Sequence, residues 1–98
     1  MSTDDEARNN ALELLTAHHD FPGVFEFRAV VLPESKSATV TAAASVVGGR
    51  HRVVGVTQRQ SSRGKYVSVR MSIEVDSPET VLEIYAVLKA VRGVVTLL

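Results

Sequence analysis

Ninety-eight residues with 45% apolar content suit one domain around one core, with no room for a second. Eleven Lys/Arg balance eleven Asp/Glu, so no global charge draws the chain to nucleic acid or to a membrane surface. There is no cysteine, which excludes disulfide scaffolds, thiolate nucleophiles and Cys-ligated zinc.

The opening MSTDDEARNN is acidic and polar, the opposite of a secretory signal, and no apolar run approaches the roughly 18–20 residues of a membrane span. A cytoplasmic protein is expected. Residues 1–20 read as a helical extension. Ser2 or Thr3 caps it, Asp4, Asp5 and Glu6 favour the positive end of the helix dipole, and His18 and His19 lie near its end. Ala7, Ala11, Leu14 and Leu15 form a stripe so thin that the helix needs a docking surface, on the domain or on another chain. Asp20, Phe21, Pro22 and Gly23 stop it.

The domain proper, 21–98, begins with a strand over Gly23–Val31. Phe25, Phe27, Ala29 and Val31 share one face; Glu26 and Arg28 share the other. Pro33 and the Ser35-Lys36-Ser37 cluster make a loop and supply a helix cap. The alanine-rich run Ala38–Val47 predicts a helix, although its Thr and Val content also tolerates a strand. Gly48-Gly49 ends it. A second strand spans His51–Gln60 with Val54 and Val56 inward, and Ser61–Gly64 is a four-residue hairpin connection.

Residues 65–75 carry the clearest alternation in the chain. Val67, Val69, Met71, Ile73 and Val75 fall on one face; Tyr66, Ser68, Arg70, Ser72 and Glu74 fall on the other. Ser77-Pro78-Glu79 then starts a helix with a capping hydroxyl, a proline at the first position and an acid in the first turn. Val81, Ile84, Tyr85, Leu88 and Val91 mark its apolar face, Gly93 closes it, and Val94–Leu98 is a short last strand. The order is a helix followed by β-α-β-β-α-β. With right-handed crossovers this is a ferredoxin-like α+β domain: a four-stranded antiparallel sheet with two helices on one face, strands one and three central.

Several segments resemble the YbeD-like family of small bacterial proteins. They are Phe21-Pro22 before Phe25-x-Phe27-Arg28, then Ser61-Ser62-Arg63-Gly64-Lys65-Tyr66-x-Ser68, then Ser77-Pro78-Glu79 leading to Ile84-Tyr85-x-x-Leu88, and a final Leu97-Leu98. The resemblance covers residues 20–98 and implies a ferredoxin-like fold similar in shape to ACT-type regulatory domains. It implies no reaction. The acidic first helix and the alanine-rich second depart from the family pattern.

Charge is unevenly distributed along the chain. Residues 1–49 hold three Lys/Arg and seven Asp/Glu, residues 50–98 hold eight and four, and no acid lies between Arg50 and Arg70. Enzyme chemistry finds little footing. His18 and His19 point about 100° apart on a helix and do not chelate one metal, and no nucleophile elbow or phosphate-cradling glycine loop is present. RGKYVSV begins like the RNA-recognition motif but offers one ring, Tyr66, where a base-stacking platform needs several. Nucleic acid is therefore not an expected partner.

The expected function is a regulatory or protein-interaction module, not an enzyme, with no cofactor. Its contact surface is the open sheet face with Glu26, Arg28, Tyr66, Ser68, Arg70 and Glu74, meeting another protein or a second copy of the chain. The turn Ser61, Ser62, Arg63, Gly64 and Lys65 is a candidate anion site. The alternative is ACT-like sensing of an amino acid or carboxylic acid at the loop Leu32–Ser37.

Overall fold

The computed structural model describes residues 3–98; the capping role assigned to Ser2 lies outside them. Helix α1 spans Thr3–His18, followed by β1 (Gly23–Val31), α2 (Lys36–Val46), β2 (Val53–Gln60), β3 (Val67–Val75), α3 (Pro78–Ala90) and β4 (Val94–Leu97). The strands form one antiparallel sheet in the order β2-β3-β1-β4. This is the ferredoxin-like arrangement that the element order predicts, with β1 and β3 in the middle.

Alternation drives the register. Phe27 lies opposite Met71, Phe25 opposite Ile73 and Ala29 opposite Val69, so the apolar sides of β1 and β3 coincide. A slip of one residue would turn every one of these side chains to water. Val40 and Ala43 of α2 and Val81, Ile84 and Leu88 of α3 close over them. Burying each larger side chain contributes about 1.5–3 kcal/mol. The small Ala43 and Ala44 let α2 lie close to its neighbours.

Local signals terminate the helices. The Ser77 hydroxyl accepts from the Thr80 backbone N–H and caps α3. Gly49 N–H donates to Ala44 C=O at 3.0 Å to finish α2, with Gly48 at φ 91°. Ser35 does not cap α2 as expected. A single 3₁₀ turn over Pro33–Ser35 already pairs the backbone there, which frees the Ser35 hydroxyl to donate to Arg92 C=O at 2.8 Å. Gly93 sits against it at φ 95°, where an added Cβ would lie 1.9 Å from Ser35 Oγ; only glycine permits this approach.

The edges depart from the sequence reading. Arg50–Arg52 form a 3₁₀ turn, so β2 starts at Val53. Val53 packs on the core in place of Val54, because the pairing shifts between Val53 and Gly55 and leaves Val54 as a bulge residue, 53% exposed. Val56 does share a face with Met71, yet it is 45% exposed, beyond the cover of the helices. The hairpin connection is residues 61–66, and Lys65 and Tyr66 belong to it and not to β3. Helix α1 docks in cis. Leu15 packs against the core and His19, just past the helix end, meets Phe25 in a tilted ring contact with centroids 4.7 Å apart, while Leu14 stays exposed.

Candidate functional site

The face of the sheet opposite the helices is polar and, among the described residues, no helix covers it. Arg28 of β1 and Arg70 of β3 are direct cross-strand partners at its centre. Like charges directly opposite destabilise a sheet. Here one carboxylate answers both: Arg28 Nε donates to Glu26 Oε1 at 3.0 Å, and Arg70 Nε pairs with the same oxygen at 3.0 Å. The outer N–H groups of both guanidiniums carry no hydrogen bond to a described residue. All three side chains are about half exposed, which limits the pairs to fractions of a kcal/mol.

Register brings further groups beside them. Thr57 of β2 pairs with Arg70, and Arg59 pairs with Ser68, so two arginines and two hydroxyls occupy alternate corners of a square on β2 and β3. With Arg28 and Leu98 they line a shallow hollow of about 390 Å³. The Arg59 side chain makes no hydrogen bond or ion pair with any described residue.

The basic stretch from Arg50 to Arg70 is thereby dispersed. Arg50 Nη2 donates to Thr41 Oγ1 at 3.1 Å. Arg52 Nη1 donates to Asp76 Oδ1 at 3.0 Å, and that bond holds its guanidinium above its ordinary pKa. Lys65 Nζ lies 5.4 Å from the centre of the Tyr66 ring. Arg63, like Arg59, has no such partner among the described residues. Arg70–Glu26 joins the basic half of the chain to the acidic half, whereas Arg52–Asp76 lies within the basic one.

The sequence-predicted site residues thus separate into two places. Arg28 and Arg70 meet on the open face. Ser61, Ser62, Arg63, Lys65 and Tyr66 stay in the hairpin, where the turn satisfies much of its own hydrogen bonding. Ser61 N–H donates to Tyr66 C=O, Gly64 N–H to Ser61 C=O, and Tyr66 N–H to Ser61 Oγ. Arg59 and Thr57 were not among the candidates. Their spacing of two residues matches Ser68 and Arg70, but only the β2–β3 register shows that the pairs coincide.

The candidate loop and the aromatic residues of β1 both have structural uses. In the loop Leu32–Ser37 the Ser35 hydroxyl is buried and committed to Arg92 C=O. Phe25 and Phe27 lie on the helix side in a ring contact that continues to Tyr85, whose phenol is pushed above its usual pKa by burial. Among the described residues no three His, Asp or Glu side chains group as metal ligands, and no helix is long and apolar enough to cross a membrane.

The chain matches the family model described as protein of unknown function (DUF493) over residues 16–98, and it belongs to that family. The YbeD-like resemblance points to this same family. Most of α1 precedes the matched region. Among solved structures, the solution structure of protein HP0495 from H. pylori is similar, with a TM-score of 0.65 and 17% identity over 82% of this chain and 85% of that one. At that identity the likeness shows a shared fold. No curated protein sequence matches the chain.

Proposed function

We propose that this DUF493 family member is a binding module, without a reaction of its own, that takes a protein partner on the open face of its sheet. The observation that carries this reading is the registered pair Arg28–Arg70 at the centre of an uncovered face. A sheet that needed only to be solvated would be more stable with opposite charges, or none, at these two positions. Arginine is also enriched where interfaces concentrate their binding energy, because its planar fork binds carboxylates bidentately. The hairpin adds Arg63, Lys65 and Tyr66 at one end of the sheet, and the β2 edge exposes the bulge residue Val54. A partner presenting an acidic segment with apolar neighbours matches this combination.

Site-specific photo-crosslinking in living cells tests the reading. A crosslinker at Ser68, on the open face, is expected to capture a discrete protein adduct, and Arg70→Glu in the same chain is expected to abolish it. A crosslinker at Glu83, exposed on α3, serves as the control. Glutamate at position 70 would face Arg28 across the strands, so the fold is retained. Equal adducts from Ser68 and Glu83, or an adduct indifferent to the charge at 70, would sink the proposal. Sedimentation equilibrium identifies the case in which the partner is a second copy.

A further inference from the structure

The hollow on the open face is more specific than a generally basic surface, and we infer that it is a binding site for a dianionic phosphoryl group, held by Arg59, Arg70, Thr57 and Ser68. It rests on the same face as the protein-binding reading but requires no protein partner. Charge comes first. Arg28, Arg70 and Arg59 line the hollow and one acidic side chain, Glu26, pairs with the first two, an excess of two positive charges among the side chains that a terminal carboxylate at Leu98 reduces to one. The hollow therefore keeps positive charge for an anion, and a phosphoryl group, which carries more charge than a carboxylate, gains more from it.

Donor geometry agrees. Cross-strand neighbours on one face lie about 4.5–5.5 Å apart at Cβ and diagonal ones about 7–8 Å. Arginines on one diagonal and hydroxyls on the other therefore approach a central group from four sides. A tetrahedral oxyanion presents oxygens in all those directions, whereas a planar carboxylate is satisfied by a single bidentate arginine. Arg28 and Arg70 each use Nε on Glu26, so their outer N–H groups stay without a described partner, and both residues line the hollow. The Arg59 side chain has no described partner and is the cation with most to gain. At about 390 Å³ the hollow is at the small end of ligand sites, larger than phosphate alone, and Leu98 supplies an apolar wall for the rest of an organic phosphate.

Titration of the ¹⁵N-labelled full chain with inorganic phosphate, at ionic strength held constant with chloride, tests the site. Saturable amide shifts are expected at Thr57, Arg59, Ser68 and Arg70. Arg59→Gln removes a charge that holds no part of the fold and is expected to weaken phosphate at least about tenfold. Arg63→Gln makes the same charge change in the hairpin and is expected to leave affinity within about twofold. Glycerol 3-phosphate and a phosphoserine peptide, titrated in parallel, assign the source. Tighter binding of the former points to a small metabolite, and of the latter to a modified protein segment. Absence of saturation, acetate binding as well as phosphate, or equal losses in the Arg59 and Arg63 variants would overturn the assignment. Any of these results leaves the crosslinking outcome at Ser68 free to go either way.

Discussion

Phe27 and Arg28 are neighbours in the chain and opposites in physics. Phe27 is fully buried against Met71, on the side that the helices cover; Arg28 is half exposed against Arg70, on the side they do not. Strand pair and register are identical for both. On the inner face stability accumulates from nondirectional burial, so many aliphatic side chains share it and the chain has one way to bury them all. On the outer face a few directed charges decide what is attracted, and each contributes little to folding. One pair of strands therefore carries the fold on one side and recognition on the other, and substitutions should separate the two.

Phe27→Ala is expected to give the largest effect, a loss of about 3–5 kcal/mol in urea denaturation, because the cavity lies where Tyr85, Met71 and Phe25 have no room to collapse. A loss below about 1 kcal/mol would mean that the covered side is not the seat of stability. Glu26→Gln acts on the other side. It removes the carboxylate between Arg28 and Arg70, and exposure and screening keep the cost under about 1 kcal/mol. Added salt should recover part of that loss, since it screens the two opposed arginines. Phosphate affinity should rise in the same variant, because the excess positive charge grows; a fall would show that Glu26 orients the arginines more than it competes with the ligand.

Tyr85→Phe is expected to change least at neutral pH. Burial holds the Tyr85 phenol above its ordinary pKa of 10.0 in the folded chain. As pH rises past that value the unfolded chain releases the phenolic proton first, so the unfolded state gains and stability falls. The Phe variant lacks this contribution. Urea midpoints measured at neutral pH and above about pH 10 should converge at the first and favour Tyr85→Phe at the second. Parallel curves for the two proteins would contradict the burial of this phenol.

Legibility differed between the two sides in the same way. The alternation of Val67 to Val75 and the signal Ser77-Pro78-Glu79 were sufficient to place the central strand and the last helix, because local steric and capping preferences agree with the global fold there. Edge features were harder to place. Val53 and Val54 are chemically equivalent, and which one turns inward depends on a bulge set by β3. Ser35 had the identity of a helix cap, but the 3₁₀ turn before it and the approach of Gly93 gave its hydroxyl another use. The candidate site was half visible: Arg28 and Arg70 stood out on alternating strands, whereas Arg59 looked like one more charge in a basic run.

Element order, the buried side of each central strand and the start of the last helix were determined by the chain itself. Each follows from interactions between residues a few positions apart, or from a period that persists whatever the partner strand is. Which charges meet was decided only in three dimensions. Arg28, Arg59 and Arg70 come from three strands, and their convergence is a matter of register, which the hydrophobic side imposes on a polar side that has no pattern strong enough to set it.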